Sequence, residues 1–157
     1  MRSTTPFRAL IGAAAVLLAV SGCSADETAN ADTITIGASL PLTGEFSQGG
    51  LDTQHGYETW VDLTNENGGL LDKDVKIVVK DDATTQDTAV SNYNNLISKD
   101  KVDLVLGSQS SLLNIPASAI AEKNKMLFVC PSCGSPDMFS RGFNSVSYTH
   151  LTLPTKA

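Results

Sequence analysis

Short aliphatic segments alternate with longer amphipathic segments along most of the chain, and this alternation constrains the fold more than any other feature. Four segments rich in β-branched and aliphatic residues predict strands over residues 33–40, 75–80, 102–106 and 126–129. Apolar stripes at helical spacing predict helices between them, over residues 51–67, 86–99 and 114–124. Strands and helices alternating at this spacing form right-handed βαβ units. The sequence therefore predicts an α/β fold with a parallel sheet flanked by helices.

Local signals set the expected limits of these helices. The first helix ends at the glycine pair 68–69, and Trp60 on it is expected to lie in the core. The third helix is expected to begin with Asn114 as its cap, because Pro116 is tolerated only in a first turn. Residues 41–50 contain one proline and three glycines, so we expect a loop there.

The N-terminus has the pattern of an export signal. Residues 1–8 carry two arginines and no acid, and residues 9–20 are an unbroken small or apolar run, too short to span a bilayer. The letters V-S-G-C that close it, ending at Cys23, resemble the lipobox of bacterial lipoproteins. We therefore predict a signal peptide over 1–22, lipidation of Cys23, a flexible tether over 23–32 and an extracytoplasmic, membrane-anchored protein. The alternative is an ordinary signal peptide with a chance cysteine.

Charge and composition exclude several classes of protein. Eleven Lys and Arg stand against 17 Asp and Glu, for a formal net charge of -6. Nucleic-acid binding needs clustered cations, which the sequence lacks, so we expect no nucleic-acid partner. A length of 157 residues allows one domain at most, and three cysteines are too few for a disulfide scaffold.

Polar loops follow the predicted strands. Residues 41–50, 107–114 and 130–136 are rich in Gly, Ser or Thr. Ligands of open α/β sheets bind at the carboxyl ends of the strands, where these loops lie. Their backbone amides and hydroxyls suit a small polar or anionic ligand held without a metal.

No pattern typical of catalysis accompanies these loops. The sequence contains no G-x-S-x-G, H-E-x-x-H or P-loop motif. The acid pair Asp81 and Asp82 lacks the further ligands of a Ca²⁺ or Mg²⁺ site, so we assign it to turn formation and helix capping. We expect neither an enzyme nor a cofactor.

The order of motifs after the lipobox resembles one family. The motifs are I-G-A-S-L-P-L-T-G at 36–44, N-x-x-G-G at 65–69, V-V-K-D-D-A at 78–83, L-G-S-Q-S-S at 106–111 and P-S-C-G-S-P at 131–136. Over residues 33–144 the chain resembles the extracellular solute-binding proteins of branched-chain amino-acid (Leu/Ile/Val) ABC importers. The resemblance implies the N-terminal lobe of a two-lobed periplasmic-binding-protein fold of type 1, whose lobes close on a ligand in the cleft between them.

The resemblance also implies which residues contact the solute. Ser111 corresponds to the serine that contacts the ligand carboxylate, and Ser132 and Gly134 to the backbone-carbonyl and hydroxyl positions of the next loop. The family commonly has Thr or Ser where Gly134 stands. Either Ser132 or Ser135 compensates for the missing hydroxyl, or the ligand differs from an ordinary amino acid.

The remaining expected cleft residues lie beside Ser111 or on the first loop. They are Ser110, Phe46, Ser47 and Gln48. Three of the expected contact residues have a structural alternative: Ser111 could serve only to cap the following helix, and Ser132 and Gly134 could serve only to make the turn between Pro131 and Pro136.

Cys130 and Cys133 form the sequence C-P-S-C, for which several interpretations are open. A redox site would place the first cysteine at the start of a helix, but Gly134 and Pro136 disfavour a regular helix. A zinc site would need a second pair of ligands. We prefer a local disulfide, with two unpaired, partly buried thiols as the alternative.

The C-terminal segment differs from the rest of the chain. Residues 145–157 have no helical stripe, Pro154 would spoil the end of a strand, and the letters resemble the spurious tails of broken reading frames. We predict that this segment is foreign to the family.

These observations predict an N-terminal fragment of a lipid-anchored solute-binding protein. It would present an amino acid or a similar small polar solute to an ABC permease. Two alternatives are a ligand-sensing receptor domain on the same fold and an extracytoplasmic thiol-redox protein that uses Cys130 and Cys133.

Overall fold

The computed structural model describes residues 33–148. The predicted signal peptide, the lipidation site Cys23, the tether and residues 149–157 lie outside the described residues.

Five parallel strands and four helices alternate along the described chain. In order they are β1 (Thr33–Leu40), α1 (Ser47–Glu66), β2 (Asp74–Asp81), α2 (Gln86–Ser98), β3 (Leu104–Leu106), α3 (Ser111–Lys123), β4 (Phe128–Cys130), α4 (Pro136–Phe139) and β5 (Val146–Tyr148). The strands form one sheet in the order β2-β1-β3-β4-β5. The predicted α/β fold with a parallel sheet flanked by helices is confirmed.

Two hydrophobic clusters occupy the two faces of the sheet. On one face, Val61 of α1 packs against Ile36 of β1 and Val75 of β2. On the other face, α2, α3 and α4 cover the sheet around Tyr93 and Phe128, whose rings lie 5.8 Å apart. Right-handed crossovers produce this arrangement, because the chain moves from β1 to β2 in one direction and from β2 back to β3 in the other.

Trp60 does not lie in the core as predicted. Its side chain is 41% exposed on α1, and Leu63 one turn later is 53% exposed. Among the described helices, only α1 packs on this face of the sheet. Leu127 lies just before β4 and points to the same face by strand alternation, and it is 47% exposed. An apolar stripe therefore predicted the helix correctly but not which of its side chains are covered.

Helix α1 begins four residues earlier than predicted, so Ser47 and Gln48 are helical and do not belong to a loop. Two glycines in its first turn, at positions 49 and 50, concealed the helix because glycine is a poor helix former. Packing requires the second of them. A Cβ on Gly50 would lie 2.0 Å from the carbonyl oxygen of Pro41.

Helix α3 also begins earlier, at Ser111, and Asn114 is not its cap. The N-cap is Ser110, whose hydroxyl oxygen accepts a 3.2 Å hydrogen bond from the Leu112 amide. Pro116 therefore lies inside the helix, where its missing N–H deprives the Leu112 carbonyl of its usual donor.

Strand β3 is shorter than predicted, and β4 begins and ends later than predicted. The Val102 amide still donates to the Leu96 carbonyl near the end of α2. The Met126 amide still donates to the Ala121 carbonyl in α3. These residues belong to the connections, so β3 begins at Leu104 and β4 at Phe128.

Two further elements follow β4. A single helical turn begins at Pro136, where a turn without regular helix was predicted. Strand β5 then pairs with β4, Phe128 opposite Val146. The Glu122 carboxylate accepts from the amides of Asn144 (3.2 Å) and Ser145 (2.8 Å), which guides the chain into β5. Strand β5 includes the first residues of the segment that we predicted to be foreign, whose origin stays a prediction.

Candidate ligand crevice at the carboxyl edge of the sheet

The strand order places a candidate crevice between β1 and β3. These strands are neighbours, but the connections that follow them leave in opposite directions, so the loops at their carboxyl ends separate. Such a switch point is where open α/β sheets bind ligands. The loops between β1 and α1, between β3 and α3, and between β4 and α4 rim this edge.

Two tyrosines from opposite faces hold the carboxyl end of β3. The hydroxyl of Tyr57 on α1 donates to the carbonyl of Gly107 at 2.6 Å. The hydroxyl of Tyr93 on α2 donates to the carbonyl of Leu106 at 2.8 Å. Burial raises the pKa of both phenols above the usual 10, so both stay protonated donors. The start of the β3–α3 loop is therefore fixed from both sides.

Asn114 closes the same loop from within α3. Its side-chain oxygen accepts from the Ser108 amide at 2.6 Å, and its side-chain nitrogen donates to the Ser108 carbonyl at 2.7 Å. Asn114 and Ser108 are both fully or almost fully buried. The sequence pointed to Asn114 as a cap, and its function in the fold is instead to fix the loop that precedes the helix.

Two of the predicted serines lie at the start of α3. Ser110 caps the helix and Ser111 is its first residue, half-buried. The Ser111 hydroxyl oxygen accepts a 3.3 Å hydrogen bond from the Ser135 amide. The β3–α3 and β4–α4 loops therefore meet at the N-terminus of a 13-residue helix, whose dipole favours an anionic group.

The β4–α4 loop exposes Ser132 and Gly134 at this edge. Nothing lies within 4 Å of the position that a Cβ on Gly134 would occupy, and its backbone is not in the left-handed region. Neither packing nor backbone conformation therefore requires glycine there. A serine or threonine would therefore fit at this position without a clash.

A disulfide closes the base of the β4–α4 loop. Cys130 and Cys133 are bonded, with their Cα atoms 5.7 Å apart, an ordinary separation for a disulfide. Cys130 is fully buried and Cys133 is 6% exposed.

The first loop lies along the same edge, closest to the end of β2. The Phe46 amide donates to the Thr84 hydroxyl at 3.2 Å, and that hydroxyl donates to the Thr43 carbonyl at 3.0 Å. Phe46 is half-buried, whereas Gln48 is exposed and donates to Asp52 within α1. A Cβ on Gly49 would touch Gln109 at 3.2 Å, so the start of α1 adjoins the β3–α3 loop.

The acid pair at the end of β2 organises turns, as predicted, but it does not cap α2, whose N-cap is Thr85. Asp81 accepts from the amides of Leu42, Thr43 and Ala83 and from the Thr43 hydroxyl. Partial burial would raise its pKa, but these hydrogen bonds outweigh that and lower the pKa below 3.8. Asp82 is fully buried, accepting from Ser39 and the Thr84 amide. Burial raises its pKa, and the negative charge of Asp81 adds to the rise.

Residues 33–148 contain neither a metal-ligand cluster nor a membrane-spanning helix. No group of three or more potential metal ligands converges in this part of the chain. None of its helices has the length and hydrophobicity needed to cross a membrane.

Comparisons with known proteins agree with this architecture. The sequence model of the family described as periplasmic binding protein matches residues 33–156. The Leu/Ile/Val-binding protein BraC3 of Rhizobium johnstonii is 36% identical over 77% of this chain and 32% of its own length. The leucine-, isoleucine-, valine-, threonine- and alanine-binding protein of Pseudomonas aeruginosa is 31% identical over 84% of this chain and 35% of its own. The chain thus spans about a third of the length of these relatives.

Solved structures give the same result. The branched-chain amino acid transporter substrate-binding protein LivJ of Streptococcus pneumoniae, in complex with isoleucine, superposes with a TM-score of 0.70 at 28% identity, over 74% of this chain and 33% of its own. The leucine-binding protein LivK of Thermotoga maritima gives 0.64 at 27% identity, over 73% and 32%. The doubly wound sheet, the crevice at its carboxyl edge and these matches show that the chain belongs to the periplasmic binding protein family.

Proposed function

We propose that this chain is the N-terminal lobe of a substrate-binding protein for an ABC importer. The whole protein would capture a branched-chain amino acid or a similar small polar solute outside the cytoplasmic membrane and deliver it to a permease. The relatives named for binding Leu, Ile and Val and the isoleucine complex of LivJ support this solute class.

One observation carries the proposal. The hydrogen bond from the Ser135 amide to Ser111 joins two loops at the N-terminus of α3, beside exposed Ser132 and Gly134. This edge supplies hydroxyls and amides for a solute carboxylate, and hydrogen bonds to a charged group contribute about 1.5 to 3 kcal/mol each. The arrangement suits binding and gives no step of bond making or breaking, so we propose that the protein performs no catalysis.

An isoleucine titration of the full chain, followed by the amide resonances, tests the proposal. We expect shifts confined to residues near 110–112 and 132–135, with a dissociation constant of about 1 mM or weaker, because one lobe leaves the other side of the solute in water. Ser111→Ala should weaken binding at least threefold. Ser98→Ala is the matched control. Ser98 lies at the C-terminal end of α2, where its hydroxyl donates to the Asn94 carbonyl, so the substitution should leave isoleucine affinity unchanged.

Two results would contradict the proposal. Shifts scattered away from this edge, or no shifts up to the solubility limit of isoleucine, would exclude these loops as the binding site. Micromolar affinity of the full chain would instead contradict its assignment as a single lobe that supplies only half of the cleft.

Membrane attachment through Cys23 belongs to the same proposal. Several acyl chains on the cysteine would hold the protein at the membrane, since each buried CH₂ contributes about 0.8 kcal/mol. Labelling of bacterial cells with a radioactive fatty acid should mark the protein and should fail in Cys23→Ala. Permease and ATPase genes beside the locus would favour import over a sensory receptor of the same fold.

A further inference from the structure

The Cys130–Cys133 disulfide adjoins both serine-bearing loops of the crevice. It closes the β4–α4 loop covalently at its base. It also reaches the next loop, because a Cβ on Gly107 would lie only 3.0 Å from the Cys130 sulfur. The same sulfur therefore bonds one loop and packs against the first residue of the other.

Few side chains of the β4–α4 loop are buried. Between Pro131 and Gly134 the only buried side chain is that of Cys133. The loop reaches α3 through the amide of Ser135, whose hydrogen bond to Ser111 is long, at 3.3 Å. Ser135 also caps α4 with a 3.3 Å bond from the Asp137 amide. The disulfide ends two residues before Ser135, so it constrains the chain that leads into both bonds.

We propose that the Cys130–Cys133 disulfide is a redox-sensitive brace that holds the crevice loops in their solute-binding arrangement. When the bond is intact, Ser132, Gly134 and Ser135 are held against the N-terminus of α3. Pre-ordering of this kind raises affinity because the loop need not lose entropy when the solute binds. Reduction removes this covalent tie, so the loop becomes more mobile and affinity falls. The effect on affinity rests on the proposed function, whereas the effect on loop order does not.

The redox step is thiol–disulfide exchange with a dithiol. A thiolate of the dithiol attacks one sulfur of the pair, the Cys130–Cys133 bond breaks, and a mixed disulfide forms. The second thiolate of the dithiol then releases the protein. Two electrons and two protons pass to the protein, which gains two thiols, and the dithiol becomes a disulfide.

The test uses the full chain carrying Cys23→Ala, so that the pair holds its only cysteines. Amide hydrogen exchange and isoleucine titration are measured in the oxidised protein, after reduction with dithiothreitol, and in Cys130→Ala/Cys133→Ala. We expect exchange at Ser135 at least fivefold faster, and isoleucine binding at least threefold weaker, in both the reduced protein and the double variant. The Val105 amide, bonded to the Leu127 carbonyl in the sheet, is the internal reference and should not change.

Several results would overturn the brace. They are free thiols in the protein purified without reductant, unchanged exchange at Ser135 on reduction, and equal acceleration at Val105, which would indicate loss of the whole fold. Dithiothreitol should have no effect on the double variant. If that variant does not fold, the comparison of the oxidised and reduced protein tests the brace. If no state binds isoleucine, the proposed function fails, while exchange at Ser135 still decides the brace.

Discussion

The side-chain amide of Gln86, the first residue of α2, donates a 3.0 Å hydrogen bond to the carbonyl oxygen of Leu112 in α3. Leu112 lies four residues before Pro116, so this is the carbonyl that the proline leaves without its helical donor. A side chain from the neighbouring helix replaces the missing N–H. This replacement helps α3 to extend three residues ahead of the start predicted from the proline.

Removing that donor should destabilise the lobe only while the proline is present. Gln86→Ala is expected to lower the free energy of unfolding by about 0.5 to 1 kcal/mol, because Leu112 is partly solvated. In a Pro116→Ala background the loss should shrink, since the introduced alanine supplies a backbone N–H to the same carbonyl. Urea denaturation of the four proteins gives the coupling energy. Gln54→Ala, which removes a bond within α1 to Glu58, is the control. Equal losses in both backgrounds would exclude the replacement.

Helix α3 shows what sequence alone could predict and what it could not. Its existence and apolar face followed from periodicity, and the parallel sheet followed from the alternation of elements. Its first residue did not follow, because the rule that confines proline to a first turn assumes an isolated helix. Here a distant residue, Gln86, removes part of the cost of Pro116. Element type is encoded locally, whereas this boundary depends on a contact between segments far apart in sequence.

Two glycines of α1 should respond in opposite directions to alanine. A Cβ on Gly50 would lie 2.0 Å from the Pro41 carbonyl oxygen, whereas nothing lies within 4 Å of the same position on Gly56. Gly50→Ala should therefore destabilise the lobe by about 1 to 3 kcal/mol through overpacking. Gly56→Ala should stabilise it by about 0.5 to 1 kcal/mol through helix propensity. Thermal denaturation followed by circular dichroism measures both. The same sign for the two variants would contradict the close approach of α1 to Pro41.

The acid pair at the end of β2, Asp81 and Asp82, should give opposite dependences of stability on pH. The pKa of Asp82 is raised in the folded state, so its contribution is complete below about pH 3.8 and is lost as pH rises through the folded pKa. The pKa of Asp81 is lowered, so its contribution is present above about pH 3.8 and is lost as pH falls through the folded pKa.

Asparagine variants separate the two carboxyl groups. Asp82→Asn should gain stability relative to the parent as pH rises from 4 to 7. Asp81→Asn should lose about 1 kcal/mol at pH 7, from weaker hydrogen bonds to Thr43 and the neighbouring amides, and the difference should shrink as pH falls through the lowered pKa of Asp81. Urea denaturation at several pH values measures both. Parallel pH profiles for the two variants would contradict the assigned shifts.

The crevice was predicted in outline, but the residues that position it were not. Glycine and serine loops after the strands located the edge, and the family resemblance singled out Ser111. Tyr57 and Tyr93 gave no such signal. A tyrosine on an apolar stripe is expected in the core, and the stripe does not reveal which group its hydroxyl donates to. Their partners at Gly107 and Leu106 are backbone carbonyls, which no residue type reveals. Only the crossing of α1 and α2 over the two faces brings these groups together.

Tyr57→Phe should disturb the β3–α3 loop more than Tyr93→Phe does. Each substitution leaves a carbonyl without its phenolic donor and should cost about 1 to 2 kcal/mol of stability. Leu106 is still paired with strands on both sides, Ala38 in β1 and Val129 in β4. Gly107 lies past the last residue of β3, although its amide still donates to the Val129 carbonyl, so loss of the hydrogen bond from Tyr57 should disturb the loop that follows. We expect amide shifts at residues 108–111 in Tyr57→Phe that are at least twice those in Tyr93→Phe, at matched temperature below unfolding. Equal shifts in the two variants would show that the sheet alone fixes the loop.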